Sequence, residues 1–491
     1  MNTPLLLGII SSILIGILSI VLIRTITFSS KQISVPKAEH ANIDESHAIE
    51  NLSKGIQFKT ISYDDPSQNE YNNWILLRDY LDAHYPSIHK RLERTIVSEY
   101  SLLYEWKGMH SDIKPIILAA HLDVVPANTS DWQVDPFEGA IREGVIWGRG
   151  AIDDKGSLFS ILEAVEYLLE SGYIPERTIY LAFGQDEEAG TMGGMNGARK
   201  IAEYLKSKGV QAEFVLDEGG LIVDKDASPV KGQKFALIGI AEKGSITLEI
   251  TANEPGGHAS IPGEDTAIGL LAKALTDLVG HEMPASMNGV VGLTFDYLGP
   301  EMPFAQRMMF ANRWLVGHLI ISKLVKNRVL AAMLHTTVAP TIIRGGNKES
   351  ALPESASMLI NSRIIPGETS QGVINHVKNS LSDPRIKVEQ FGTVVHEPSP
   401  VSRPDSQSFY IITRTIREVF PDVMVAPILV TGRTDSIYYQ EVVENTYRFA
   451  PYLAGLEALK QAHGIDERIS VDSYLSMIQF YIRFIQNSTG A

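Results

Sequence analysis

Apolar and polar positions change their period several times along this chain, and each change predicts an element. Residues 5–23 (LLLGIISSILIGILSIVLI) form a run of 19 without a charge, close to the ~20 that a helix needs to cross a bilayer. No Lys or Arg precedes the run, Arg24 closes it, and no small-residue cleavage site follows. That pattern predicts an uncleaved single-pass anchor in preference to a cleaved leader or a buried core helix. Residues 29–45 (SSKQISVPKAEHANIDE) are polar and aperiodic, which predicts a linker.

From 46 to 245, short apolar runs alternate with helically spaced ones. The runs 116–120 (IILAA), 179–183 (IYLAF) and 214–216 (FVL) are apolar and β-prone throughout, as strands buried on both faces are. Leu158, Ile161, Leu162, Val165, Leu168 and Leu169 fall at helical spacing. Such alternation predicts an α/β domain whose parallel or mixed sheet is covered on both faces. At 246–252 (ITLEITA) the period becomes two, and 356–363 (ASMLINSR) matches it ahead of Pro366 and Gly367, as expected of strands with one wet face. Between them, Phe304, Met308, Met309, Phe310, Trp314, Leu315, Leu319, Leu324 and Leu330 make 300–335 unusually apolar. Helices packed on the neighbouring sheet or on a second copy would explain this, as would a wall of a substrate tunnel or a membrane-facing patch.

Composition narrows the function. A formal net charge of -15 and a pI near 5.4 leave no basic footprint for nucleic acid. Cys is absent, which removes disulfides, thiolate ligands and a Cys nucleophile. A bound metal must then be held by His and carboxylates.

Three acidic signatures follow strand-like runs: His121-Leu122-Asp123, the stretch 148–156 (GRGAIDDKG), and Asp186-Glu187-Glu188. A further run ends in Asp217-Glu218-Gly219-Gly220. Cations that activate water need anionic oxygens and imidazoles delivered from rigid elements, and the carboxyl ends of parallel strands supply that rigidity. His121 can present one ring nitrogen to a metal while Asp123 accepts the other ring N–H. Two cations at roughly 3.5–4 Å need a shared anion, for which Asp153 and Asp154 both qualify. Of Glu187 and Glu188, one can ligate while the other moves a proton. Asp217 and Glu218 compete for a terminal ligand position.

The order HxD, GRGxxDxKG, DEE, DEG and a late His463-Gly464 resembles the M20 metallopeptidases, a family of aminoacylases, carboxypeptidases and desuccinylases, from about residue 46 to the C-terminus. The resemblance implies an α/β catalytic domain with a mixed, mostly parallel sheet in two parts, 46–245 and 368–491. An inserted α+β lid of the dimerisation type would occupy 246–367, behind the N-terminal transmembrane helix. The bridging ligand falls on Asp153, leaving Asp154 behind the ligands or as the cap of the next helix. Glu187 becomes general base and acid, Glu188 a ligand, Glu218 the terminal ligand ahead of Asp217, and His463 the closing ligand. Two imidazoles and three carboxylates suit two Zn²⁺, with Co²⁺ or Mn²⁺ as substitutes. The resemblance also implies His258 as an oxyanion donor, often supplied across a dimer, and Arg363 as a bidentate partner for a substrate carboxylate. Asn347 and Thr434, with Asp435, resemble further substrate contacts, while Arg433 stands where relatives commonly carry a small residue.

A hydrolase follows that cleaves an amide bond next to a free carboxylate in a small molecule and releases an amino acid. The segment 300–335 and the phrases 361–367 (NSRIIPG) and 217–220 (DEGG) look most like the carboxypeptidase S and N-fatty-acyl-amino-acid hydrolase branch. Both a dipeptide and a lipidated amino acid therefore stay open as substrate. The expected partners are the membrane and a second copy through the lid, with no nucleic acid. Resemblance to secreted and lumenal relatives places the catalytic domain outside the cytoplasm, although Arg24, Lys31 and Lys37 after the span pull the other way. A non-catalytic binding module would have lost ligands or the base, and here each expected position is filled. A Mg²⁺ phosphohydrolase would need a phosphate cradle, which the sequence does not offer, and would explain neither His258 nor Arg363.

Overall fold

Three of the apolar runs become adjacent parallel strands, and this fixes where the chemistry can sit. In the computed structural model, which describes residues 3–189, 197–228, 232–455 and 457–490, Ile116–His121 pairs parallel with Ile179–Gly184 on one side and Ala212–Asp217 on the other. Parallel neighbours need crossover connections. Lys155–Glu170 supplies the first helix and Gly197–Ser207 the second. All six helically spaced positions, Leu158 to Leu169, are buried, each such side chain contributing roughly 1.5–3 kcal/mol. Among the described residues the sheet has ten strands and is mixed. Ser101–Trp106 joins Ile179–Gly184 antiparallel, and Val443–Arg448 returns late in the chain to lie parallel beside Ala212–Asp217.

The chain divides into two compact units. One comprises Lys31–Ile240, Ser402–Ile428 and Thr434–Ala491, and the other Met1–Ser30, Ala241–Val401 and Leu429–Arg433. In the second, Gly244–Asn253 pairs antiparallel with Ser355–Ile364 along its whole length, and its burial alternates from residue to residue as the period-two pattern predicted. Thr337–Gly345 and Lys387–Gln390 flank this pair. Helices Ala267–Gly280 and Ser370–Ser380, capped by the Thr266 and Thr369 side chains, bury Leu270, Leu271, Val373 and Val377 on the sheet. This unit therefore runs past 367, the end expected for it. Lys387–Gln390 occupies the edge of Gly244–Asn253 that a boundary at 367 would leave bare.

Helices Phe304–Ala311, Arg313–Leu324 and Arg328–Leu334 form a separate small core around Met287, Val291, Ile320 and Leu334. At the N-terminus, Thr3–Thr27 is one helix. Its stretch Leu5–Thr27 is long and apolar enough to cross a membrane, by length and composition.

The aperiodic segment 29–45 is pinned along its length rather than free. Gln32 Nε2 donates to Val425 O at 2.9 Å while its Oε1 accepts from Val425 N at 2.8 Å. Ala38 N donates to Glu418 O at 2.9 Å and Ala41 N to Gln479 Oε1 at 2.7 Å. Backbone polar groups need partners even without regular structure, and pairings of this kind leave no periodicity to read.

Candidate metal centre

The three parallel strands deliver their acidic motifs side by side beyond their carboxyl ends. His121 ends its strand with 1% of its surface exposed. Its Nε2 lies 3.0 Å from Asp153 Oδ1 and 3.7 Å from Glu218 Oε1. On the other oxygen of Asp153, Oδ2, stands His463 Nε2 at 3.2 Å, and the same nitrogen is 3.0 Å from Glu188. One carboxylate thus faces both imidazoles. Candidate ligand atoms gather within 4.8 Å in three groups: His121, Asp153 and Glu218; Asp153, Glu188 and His463; and His121, Glu187 and Glu188. The first two share Asp153, the sharing that neighbouring cations require.

Asp123 ties the motifs together from beneath. Its carboxylate accepts the Glu187 N–H at 3.1 Å and the Glu188 N–H at 3.0 Å. His121 Nδ1 lies 3.3 Å from its Oδ1 and 3.0 Å from its carbonyl oxygen. Buried and acceptor-only, Asp123 fixes the imidazole tautomer and the DEE backbone with one side chain. In the GRG stretch, Gly150 has φ 89°, and a Cβ there would lie 2.8 Å from Val124 Cγ1. Both facts call for glycine.

The electrostatics are those of anions lacking a cation. Burial, reinforced by the Glu188 charge, pushes Glu187 well above the usual carboxylate range. Burial and the Asp153 charge do the same to Glu218 and raise Glu188 to about 7. Hydrogen bonds to Asp153 and Glu188 raise His463 to about 10. Burial alone would raise Asp153 too, but its bonds to His121 and His463 outweigh that and hold it below the ordinary range. Protons therefore occupy the role that divalent cations fill in such a cluster. A donor set of imidazole nitrogens and carboxylate oxygens without sulfur fits a divalent metal pair.

Residues 117–487 match the profile of peptidase family M20/M25/M40. The chain belongs to this family. It is 38% identical over 490 residues to probable carboxypeptidase S-like 2 of Dictyostelium discoideum, covering 98% of this chain and 93% of that protein. It is 36% identical over 456 residues to the N-fatty-acyl-amino acid synthase/hydrolase PM20D1 of Homo sapiens, covering 91% and 88%. Its fold is similar to the M20 family metallo-carboxypeptidase Sso-CP2 from Sulfolobus solfataricus, with a TM-score of 0.63 at 18% identity over 89% of this chain and 98% of that one. The α/β mixed sheet is thus that of an M20 peptidase, and the chain is a hydrolase of amide bonds.

The remaining residues of the M20 pattern lie outside the three groups. Asp217 is buried outside the three groups, its Oδ2 accepting from Ser436 N at 2.7 Å; Glu218, one step past the strand end, turns to the cluster instead. Asp154 precedes helix Lys155–Glu170 without capping it through its side chain, and its Oδ2 accepts from His121 N at 3.3 Å. Thr434 is 4% exposed, and its hydroxyl lies 2.6 Å from Ser436 Oγ. Asp435 is buried with neither carboxylate oxygen hydrogen-bonded; burial and the Asp217 charge push its pKa up. Asn347, His258 and Arg363 belong to the inserted unit. Asn347 is exposed after Gly346, whose φ is 70°. His258 is exposed, and its Nδ1 accepts the Ser260 N–H at 3.2 Å, so in the neutral ring Nε2 carries the proton.

Two pairs escaped the sequence reading. Glu467 accepts from Arg149 Nη1 at 2.5 Å, Ile152 N at 2.8 Å and Asp153 N at 3.1 Å. Arg149 Nη2 also donates to Gly464 O at 2.9 Å. This buried pair joins the loop of Asp153 to the loop of His463. In the inserted unit, Arg433 Nη1 lies 2.7 Å from His396 Nε2. Burial and the Arg433 charge lower both Arg363 and His396, the latter to about 4. The family-atypical Arg433 was the available signal for the second pair. For the first, only Glu467 itself, four residues after His463, was visible.

Proposed function

We propose that this M20 enzyme is an anchored, zinc-dependent hydrolase that cleaves the amide bond next to a free carboxylate and releases an amino acid. The observation that carries the reading is Asp153, whose two carboxylate oxygens face His121 and His463. When bound, two Zn²⁺, or Co²⁺ or Mn²⁺ in their place, would polarise the scissile carbonyl and lower the proton affinity of a water, with His121, Asp153 and Glu218 holding one and Asp153, Glu188 and His463 the other.

Glu187 takes the proton of the attacking water and delivers it to the departing amine nitrogen. Its burial, which raises its carboxyl, suits a group that must keep that proton between the two steps. Asp123 holds Glu187 at its backbone and His121 at its ring, so neither drifts as charge moves. His258 offers its Nε2–H to the oxyanion. Arg363 pairs with the substrate carboxylate: it is exposed, its guanidinium feels the Arg433 charge, and it has no salt bridge among the described residues, the condition of a site awaiting an anion. Asn347 and Thr434 complete the substrate contacts.

The inserted unit is read as a lid that pairs with a second copy, and Thr3–Thr27 as a single-pass anchor with the catalytic unit outside the cytoplasm. A lipidated amino acid is favoured over a dipeptide by the likeness to N-fatty-acyl-amino acid synthase/hydrolases. Turnover by the Zn²⁺-loaded full chain of glycyl-leucine against oleoyl-phenylalanine tests this. Acyl hydrolysis is expected to dominate; negligible oleoyl-phenylalanine turnover beside rapid dipeptide cleavage would remove the lipid reading, and no turnover of either would remove the enzyme.

A further inference from the structure

Helix Arg313–Leu324 is apolar on both faces. Val316, Ile320, Ile321 and Leu324 face the small core with Met287 and Val291. Trp314, Leu315 and Leu319 point the other way and are 55%, 44% and 51% exposed, at the one- and four-residue spacing of a single helical face. The exposed Phe304 and Val329 lie on the helices before and after it.

Charge sets this segment apart from the rest of the chain. Between Phe304 and Arg328 stand Arg307, Arg313, Lys323, Lys326 and Arg328, with no Asp or Glu, in a protein of net charge -15. Apolar and basic residues without acidic ones are the composition of a surface that lies on anionic lipid.

The same helices grip the end of the apolar N-terminal helix. Arg307 Nη2 donates to Phe28 O at 2.7 Å and Ile26 O at 3.2 Å. Asn312 Nδ2 donates to Val21 O and Thr25 Oγ1, both at 3.2 Å, and Arg24 Nε donates to Ala311 O at 3.1 Å. Ile26 O and Ala311 O lie in the last turns of their helices, where carbonyls lack intrahelical partners, and are thereby satisfied. Trp314 thus begins its helix within a few residues of the point where the apolar helix ends. A cavity of about 760 Å³ opens there, lined by Arg24, Phe28, Asp296, Phe310, Arg313 and Trp314. Arg313 Nη2 pairs with Asp296 at 2.6 Å, while its Nη1 is buried without a partner.

We infer that helices Phe304–Ala311, Arg313–Leu324 and Arg328–Leu334 form an interfacial surface that lies in the headgroup layer of an anionic bilayer, beside the N-terminal helix. This rests in part on the anchor reading of that helix and goes beyond it. The apolar face enters the acyl boundary, and the Lys323, Lys326 and Arg328 side chains meet lipid phosphates.

The cysteine-free chain allows single spin labels without other changes. Full-length Leu315→Cys, Leu319→Cys, Ile15→Cys and Ile174→Cys, each retaining hydrolysis, are labelled and reconstituted into phosphatidylcholine–phosphatidylglycerol vesicles. Collision with oxygen is then compared with collision with a water-soluble nickel chelate. The labels at 315 and 319 are expected to favour oxygen several-fold over the label at 174, which lies on the other compact unit. Exchanging Lys323, Lys326 and Arg328 for Glu is expected to reduce that preference at 319. Nickel accessibility at 315 and 319 equal to that at 174 would overturn the inference, as would shielding from both reagents with dipolar broadening, which marks a second copy on this face. The label at 15 reads the anchor separately: water-exposed, it removes the anchor reading, while 315 and 319 still decide the surface.

Discussion

Exchanging Glu467 for Gln tests how the two metal-bearing loops are held together. Glutamine keeps the volume and one acceptor oxygen, but it leaves the Arg149 guanidinium, 2% exposed, without its counter-charge. Removing one partner of a buried pair costs about 3–5 kcal/mol, a large part of the ~5–15 kcal/mol that stabilises a typical domain. Arg149→Met combined with Glu467→Gln strands no charge, so the double variant should recover much of the loss, a coupling of roughly 1–3 kcal/mol. Urea unfolding of the full chain in neutral detergent, for wild type, both singles and the double, measures it. Glu467 also carries the Asp153 N–H, so Glu467→Gln should weaken Zn²⁺ binding by roughly 10–100-fold, read by competition with a chromophoric chelator. An unchanged midpoint in Glu467→Gln, or a double variant as unstable as the two singles summed, would refute the pairing.

The cluster's protons supply a second prediction. His463 stands at about 10 and Glu188 at about 7 without a cation. Both pKa values are raised, so the protonated forms compete with metal, and affinity should fall as pH drops from about 8 to about 6. Calorimetry in buffers of different ionisation enthalpy should find at least one proton released on loading, and none would contradict the pKa order. In Gly184→Ala the new Cβ would lie 2.2 Å from Asp435 Oδ2. Overpacking of this kind should cost ~1–3 kcal/mol, and an unchanged melting temperature would show that the loop gives way. Arg433 places a second positive charge near Arg363, so Arg433→Met should raise KM for N-acyl amino acids several-fold with kcat nearly kept, and lift His396 from about 4, followed by histidine NMR. A fall in kcat alone would place Arg433 elsewhere in the reaction.

What the sequence disclosed and what it withheld divide along a physical line. His121, Glu187, Glu188 and Glu218 were legible because each follows a buried strand, and an apolar run ending in acid implies a position at a sheet edge. The residues alone left Asp217 and Glu218 both open, and only the resemblance put Glu218 ahead. The choice depends on the turn after the strand, which sends Asp217 to Ser436 and Glu218 to His121. Glu467 with Arg149, and Arg433 with His396, join residues far apart in the chain, and only tertiary pairing reveals them. The pinned segment 29–45 hid for the same reason. Strand Lys387–Gln390, four residues with little alternation, gave too short a pattern to extend the inserted unit past 367. The apolar segment 300–335 was visible, yet only the structure separates its buried half from its exposed one.

In the proposed mechanism two cations share Asp153 while Glu187 moves the proton. Zinc content by mass spectrometry and turnover of an N-acyl amino acid, measured together on the full chain, test it most directly. Wild type and Glu187→Gln should each hold two Zn²⁺ and Asp153→Ala fewer, while Glu187→Gln should lose turnover by roughly 10²–10⁴-fold. A single Zn²⁺ in wild type, or a Glu187→Gln variant as active as wild type, would contradict it.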